Sequence, residues 1–99
     1  MDLELKNKVA IVGGASKGLG RACAEVLAEE GMKVVICSRS QADLEQAAAD
    51  IRDKTKADVL VFAGDLEKNE VIQKLMATAT EKFGRIDVLV ANSGGPRSE

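Results

Sequence analysis

The chain has 99 residues, of which 45% are hydrophobic and 30% charged, and its formal net charge is −2. This length suits one small domain, and the balance of apolar and charged residues is that of a folded protein rather than a disordered one. The negative charge argues against nucleic-acid binding, for which a basic surface is usual. No apolar run approaches the roughly 20 residues that span a membrane, and the N-terminus has no secretion signal. We therefore expect a cytoplasmic protein that binds neither nucleic acid nor membranes.

Short apolar runs alternate along the chain with segments of helical periodicity. The runs predict strands that are buried on both faces, and the segments between them predict amphipathic helices. The predicted strands cover 9–12, 33–37, 59–63 and 86–91; the predicted helices cover 18–30, the segment that follows the N-cap Ser40, and 67–83. Gly31 and Gly84 are placed to end the first and third helices.

Each predicted helix has an apolar face that we expect to point towards the core. The three faces are Leu19, Ala22, Cys23, Val26 and Leu27; Leu44, Ala47, Ala48 and Ile51; and Val71, Ile72, Leu75, Met76, Ala79 and Phe83. Cys23 and Cys37 fall in a helix and a strand, so we expect them to be packing residues. A disulfide or a metal pair is the alternative, but no other ligand cluster supports it.

The order β-α-β-α-β-α-β with short connections predicts an α/β fold, a doubly wound parallel sheet with helices on both faces. The expected strand order is 3-2-1-4, which leaves strand four at an edge, whereas such sheets usually have about six strands. We therefore expect residues 1–99 to be the N-terminal half of a dinucleotide-binding domain in a longer protein. Alone, the chain would expose an apolar edge suited to self-association.

A glycine-rich turn, Gly14-x3-Gly18-x-Gly20, lies where the first strand passes into the first helix. In a βαβ unit this turn directs backbone N–H groups and the positive end of the helix dipole at a phosphate. A P-loop needs Lys and then Ser or Thr after its last glycine, but Leu19 and Arg21 follow the glycines here. A tight turn without a ligand is the alternative. Lys17 and Arg21 near this helix end are either phosphate contacts or solvated charges.

The second strand ends in Ser38 and Arg39, and Ser38 stands 18 residues after Gly20. NAD-binding proteins usually carry Asp or Glu near this point to hold the ribose 2′-hydroxyl. Ser38 does not repel a 2′-phosphate, and Arg39 can pair with one, with Lys17 on its other side. This pattern favours NADP(H) over NAD(H). Arg39 as an ordinary solvated charge is the alternative.

Four segments together resemble the N-terminal half of the short-chain dehydrogenase/reductase family. The nearest resemblance is to 3-oxoacyl-[acyl-carrier-protein] reductases and similar NADP-dependent carbonyl reductases, which have a Rossmann-type fold. The segments are Gly14-Ala15-Ser16-Lys17-Gly18-Leu19-Gly20, Ser38-Arg39, Gly64-Asp65-Leu66 and Asn92-Ser93-Gly94. Gly13 departs from the family, which usually has Thr there, and Ser93 replaces a common Ala.

The resemblance implies a role for each segment in binding the dinucleotide. Gly14, Ser16 and the run Lys17-Gly18-Leu19-Gly20 would surround the diphosphate. Asp65 and Leu66 would contact the adenine ring, and Asn92 and Gly94 would lie beside the nicotinamide ribose. Two alternatives stay open: Asp65 could cap the third helix, and Asn92 to Pro96 could be an ordinary exit loop.

The resemblance also implies an oxidoreductase that reduces a carbonyl by hydride transfer, in a parent protein that forms homo-oligomers. Family members place a catalytic Ser and a Tyr-x-x-x-Lys pair beyond the fourth strand, and this chain contains no Tyr. We therefore assign no catalytic residue and no metal ligand, and we expect the chain alone to be inactive. A stand-alone nucleotide-binding or interaction module is the second hypothesis. An adenosyl-dependent methyltransferase is weaker, because the second strand lacks an acidic residue to hold ribose hydroxyls.

Overall fold

The computed structural model describes residues 6–15 and 18–90 and confirms the predicted order of strands and helices. The elements are β1 (Val9–Gly13), α1 (Gly18–Glu29), β2 (Lys33–Ser38), α2 (Gln41–Thr55), β3 (Val59–Ala63), α3 (Asn69–Phe83) and β4 (Val88–Val90). The four strands form one parallel sheet in the order β3-β2-β1-β4, as predicted. Right-handed crossovers of this kind place the carboxyl ends of all four strands at one edge of the sheet.

The core lies on both faces of β1 and β2, whose apolar residues alternate between two clusters. One cluster joins Val12 and Ile36 to small residues of α1 and to Leu44 of α2. The other joins Ile11 and Val35 to α3. Because both faces of these central strands are covered, their continuous apolar sequences are buried throughout, as the absence of polar alternation indicated.

Helix ends follow the local sequence signals with one exception. Ser40 caps α2, its Oγ accepting a hydrogen bond from the Asp43 N–H at 3.2 Å, and Gly84 ends α3 with φ +83°. The third helix begins at Asn69, not at position 67 as predicted. Asp65 accepts a hydrogen bond from the Glu67 N–H at 3.0 Å, so this stretch forms a turn before the helix. Lys68 occupies the N-cap position, and Asp65 is therefore not the cap of this helix.

The predicted inward face of α1 is only partly correct. Leu27 packs against the core and Cys23 is half-buried, but Leu19, Ala22 and Val26 are exposed. The buried residues of this helix are Gly20, Ala24 and Ala28, which are spaced four apart, whereas Leu19 is 80% exposed and Val26 55% exposed. Small residues on the inward face let a helix lie close to the strands. Leu27 still packs against the core, whereas Leu19 and Val26 lie on the solvent-exposed side. The prediction placed large apolar residues on the inward face, whereas the fully buried residues of α1 are small ones that let the helix approach the strands closely.

The fourth strand begins at Val88, two residues later than predicted, and it lies at an edge of the four described strands, as expected. Ile86 and Asp87 precede it, and Ala91 lies outside the described residues. Leu89 is 54% exposed. In the part of the chain that the structure describes, no helix is long and apolar enough to cross a bilayer.

Both cysteines are free thiols, and Cys37 is a packing residue, as predicted. Cys37 is buried in β2, its Sγ lies 3.6 Å from the carbonyl oxygen of Val12, and burial raises the pKa of its thiol to about 11. Cys23 is half-buried in α1. Residues 6–15 and 18–90 contain no cluster of potential metal ligands.

Candidate functional site

The turn between β1 and α1 lies at the carboxyl edge of the sheet and is fixed to its neighbour strand. Gly14 has φ +64° and Gly18 has φ +61°, which are left-handed conformations that glycine adopts without strain. Between them, Ala15 is buried and its N–H donates to the Cys37 carbonyl at 3.1 Å. Two of the predicted site residues in this turn, Ser16 and Lys17, lie outside the described residues.

The glycines of this turn differ in their surroundings: Gly20 is buried against the sheet, and Gly18 borders open space. Gly20 is buried on the inward face of α1, where a side chain would push the helix from the sheet. A Cβ added at Gly18 would meet nothing within 4 Å, so the space beside its backbone is open. Leu19 is 80% exposed, which is unusual for a large apolar side chain. Packing therefore accounts for Gly20, whereas Gly18 and Leu19 border open space.

The N-terminus of α1 favours an anion. The first N–H groups of a helix have no partner within the helix, and the helix dipole places partial positive charge there. The first turn of α1 contains no acidic residue to neutralise that charge. The open space beside Gly18 thus borders a region of positive potential.

The end of β2 carries the exposed side chain of Arg39. It lies between Ser38 and Ser40, whose hydroxyl groups accept hydrogen bonds from backbone N–H groups. The Oγ of Ser38 accepts from the Ser40 N–H at 3.2 Å, and the Oγ of Ser40 caps α2. Arg39 is exposed, and its side chain has no hydrogen bond or ion pair with any described residue. Its guanidinium is thus free to bind an anionic group near the start of α2.

The end of β3 reaches the same edge through Gly64, whose N–H donates to the Ser38 carbonyl at 2.8 Å. A Cβ at Gly64 would lie 2.7 Å from Cγ1 of Val71, so close packing requires glycine here. Asp65 follows in the turn before α3, and Leu66 is half-buried against the cluster on the α3 face. The structure therefore brings the three described segments to one edge, while Asn92 and Gly94 lie outside the described residues.

Arg21 is paired across the helices. Its guanidinium bonds to Asp50 of α2, and Lys54 of α2 pairs with Glu25 of α1 at 2.9 Å. Arg21 and Asp50 are 29 positions apart, so helical spacing within α1 could not reveal the contact. These pairs hold α1 against α2.

Sequence reasoning also missed Asp87, which joins β1 to β4 at the amino ends of these strands, opposite the glycine turn. Its carboxylate accepts from the Val9 N–H at 2.9 Å, and its own N–H donates to the Val9 carbonyl at 2.8 Å. Arg85 adds two hydrogen bonds at 2.8 Å, and together with the Val9 N–H it lowers the pKa of Asp87. This clamp fixes the register of β1, which carries the glycine turn at its other end.

Comparison with known proteins agrees with this geometry. A family model described as short chain dehydrogenase matches residues 8–99. An uncharacterized oxidoreductase of Staphylococcus saprophyticus is 41% identical over 92 residues, which cover 93% of this chain and 39% of that protein.

Solved structures show the same fold. L-sorbose reductase from Gluconobacter frateurii, complexed with NADPH and L-sorbose, has a TM-score of 0.94 and 34% identity, covering 100% of this chain and 38% of its own. An NAD⁺-bound xylitol dehydrogenase has a TM-score of 0.87 and 30% identity, covering 93% and 35%. The chain thus spans little more than a third of the length of these relatives. Of the two solved structures, one contains NADPH and the other NAD⁺.

Proposed function

This chain belongs to the short-chain dehydrogenase family, and we propose that it is the NADP(H)-binding part of an oxidoreductase that reduces a carbonyl group. The observation that carries the proposal is the glycine turn at the carboxyl edge, where open space beside Gly18 meets the N-terminus of α1. A diphosphate needs close backbone approach and the N–H donors of a helix N-terminus, and the described part of this turn provides an open position at Gly18 and the start of α1.

The residues around the turn fit the coenzyme's diphosphate. We assign this role to Gly14, Ser16, Lys17, Gly18, Leu19 and Gly20. The exposure of Leu19 supports it, because a bound dinucleotide would cover an apolar side chain that the chain itself leaves in solvent. The left-handed conformation of Gly14 and Gly18 supports it too, since any other residue type would be strained there.

The choice of NADP(H) over NAD(H) rests on the end of β2. Ser38 and Arg39 would receive the 2′-phosphate, with Lys17 as a second cation. The free guanidinium of Arg39 and the absence of a carboxylate at positions 38 and 39 support this assignment. We place the adenine ring beside Asp65 and Leu66, and the nicotinamide ribose beside Asn92 and Gly94.

The bound coenzyme would supply the hydride, and the residues of this chain would bind and orient it. The sequence contains no Tyr and no His, so it offers none of the family's Tyr-dependent proton transfer to a substrate oxygen. We propose that residues 1–99 form the N-terminal half of a Rossmann domain, and that they bind coenzyme without transferring hydride. The parent would be a cytoplasmic homo-oligomer that reduces a 3-oxoacyl thioester or a similar ketone.

Coenzyme titration of the purified chain tests this proposal. NADPH fluorescence and calorimetry should give tighter binding for NADPH than for NADH, with a difference that shrinks as salt screens the phosphate contact. Equal affinities would refute the NADP(H) assignment, and no binding of either coenzyme would refute the site. Oxidation of NADPH by the 99-residue chain with a ketone would contradict the expected inactivity.

A further inference from the structure

The first turn of α1 carries N–H groups that have no partner inside the helix, and few side chains hold this turn in place. Its four residues are Gly18, Leu19, Gly20 and Arg21. The two glycines have no side chain, and that of Leu19 is 80% exposed. Within residues 6–15 and 18–90, Arg21 is the member of this turn whose side chain bonds to another element, because its guanidinium pairs with Asp50 of α2. The Arg21–Asp50 pair is therefore the side-chain tether of the turn.

The carboxylate of Asp50 is held through both of its oxygens. Oδ2 accepts the hydrogen bond from Arg21, and Oδ1 accepts one from Nε2 of Gln46 at 3.3 Å. Ile51, the next residue, is buried in the core together with Leu44 of the same helix. Asp50 thus lies on a helix that large buried side chains anchor to the sheet, whereas the first turn of α1 contributes no large side chain to the core.

A second ion pair lies one turn further along both helices, with its charges reversed. Lys54 of α2 donates to Glu25 of α1 at 2.9 Å. Each helix therefore carries opposite charges one turn apart, which attract each other along the helix surface. Glu25, through its hydrogen bond and its charge, raises the pKa of Lys54, and Asp50 adds to the rise. The four side chains, two cations and two anions, thus support each other and add no net charge near the N-terminus of α1.

The position of the counter-charge matters for an anion site. Arg21 lies in the first turn of α1, where the helix dipole opposes a cation. A carboxylate in the same turn would balance Arg21, but it would also cancel the partial positive charge that attracts a phosphate. The first turn of α1 contains no acidic residue. Asp50 balances Arg21 from the neighbouring helix instead, and this leaves the N-terminus of α1 suited to an anion.

We propose that Asp50 is a positioning residue for coenzyme binding, which through Arg21 holds the first turn of α1 and its N–H donors where the diphosphate binds. This inference rests on the proposed function. Asp50 acts through Arg21 and not by touching the coenzyme, so removing its charge should weaken binding. By charge alone the opposite would hold, because removing a carboxylate favours an anionic ligand. The sign of the effect therefore separates positioning from simple electrostatics.

Coenzyme titration of Asp50→Asn measures that sign. The ion pair is partly exposed, so its loss should weaken the binding of NADPH and of NADH by roughly two- to fivefold. Both affinities should fall together, because both coenzymes contain the diphosphate. Asp50→Glu keeps the charge and should recover most of the affinity. Glu45→Gln is the matched control: it removes one carboxylate from the same helix, where Glu45 bonds to Gln41 within α2, and it should leave both affinities unchanged. Tighter or unchanged binding by Asp50→Asn, or an equal loss in Glu45→Gln, would overturn the proposal.

Amide hydrogen exchange tests the tether in the chain without coenzyme. The N–H groups of residues 22–25 donate to the carbonyl groups of the first turn of α1, so their exchange rates report how often that turn opens. Asp50→Asn should raise these rates roughly two- to fivefold relative to Glu45→Gln. Unchanged rates would overturn the proposal whatever the coenzyme result. If the unmodified chain bound neither coenzyme while Asp50→Asn still exchanged faster, the proposed function would be refuted and the tether would stand.

Discussion

Replacing Gly18 with Ala separates its role in coenzyme binding from its role in the backbone. Gly18 has φ +61°, and an added Cβ meets nothing within 4 Å. The substitution therefore causes no clash within the protein. Its cost to folding is that of holding a non-glycine residue in the left-handed region, about 1–2 kcal/mol.

Gly84 provides a matched control at the other end of the molecule. It ends α3 with φ +83°, and an added Cβ there also meets nothing within 4 Å. Gly84→Ala should therefore lower the free energy of unfolding by a similar amount. Urea denaturation of the two variants measures this backbone cost directly.

The two variants should differ in coenzyme affinity. If the diphosphate approaches the backbone at Gly18, the added methyl group displaces it and weakens at least one charge-assisted hydrogen bond. Such a bond contributes about 1.5–3 kcal/mol, which corresponds to a loss of roughly 10- to 150-fold in affinity. Gly84→Ala should bind NADPH as the unmodified chain does. Equal affinities for both variants by fluorescence titration, with both folded, would show that the diphosphate does not lie against Gly18.

Substitutions at four further positions test the site and the fold. Arg39→Asp should lower the ratio of NADPH to NADH affinity at least 10-fold through loss of one charged contact and added repulsion; an unchanged ratio would exclude Arg39 from the 2′-phosphate site. Asp87→Asn should flatten the acid dependence of stability. The lowered pKa of Asp87 means that its ionised form stabilises the fold above the ordinary carboxyl pKa of about 4, and that this contribution is lost as the pH falls further. Urea denaturation at pH 7 and pH 3 measures how much stability is lost on acidification. An equal loss in Asp87→Asn and in the unmodified chain would contradict this role of Asp87. Ser40→Ala should cost about 1 kcal/mol by removing the α2 cap, whereas Ser40→Asp should not. Leu44→Ala, at a fully buried position, should cost about 2–5 kcal/mol, and a smaller loss would indicate that the core relaxes around the cavity.

The sheet could be predicted because its sequence signals are local and agree with one another. Residues 34–37 of β2 form a continuous apolar run, as expected for a strand that is covered on both faces, and Ser40 is a recognisable N-cap for the helix that follows. Four parallel strands joined by helices leave few possible orders, and 3-2-1-4 was expected because it is the usual order of the first four strands in a doubly wound sheet. The positions of Gly14, Gly18 and Arg39 at one edge then followed from the topology.

The contacts that escaped prediction join residues distant in sequence. Asp50 and Asp87 are ordinary surface carboxylates in sequence, and only the folded chain shows that one binds Arg21 and the other binds Val9. Helical spacing reports which residues share a face, but not which face meets the sheet. The predicted stripe on α1 therefore included Leu19 and Val26, which are exposed, while the fully buried positions of the helix are Gly20, Ala24 and Ala28.

The inverted burial of α1 links its packing to its proposed role. Because Gly20, Ala24 and Ala28 occupy the inward face, the helix packs closely on the strands. Its N-terminus lies at the carboxyl ends of the strands because α1 directly follows β1 and the glycine turn. The same rotation directs Leu19 into solvent at that edge. Enlarging an inward residue, for example Ala24→Leu, would move the whole helix end. Its effect on coenzyme affinity should therefore exceed that of Leu19→Ala, which removes one side chain and leaves the N–H donors where they are.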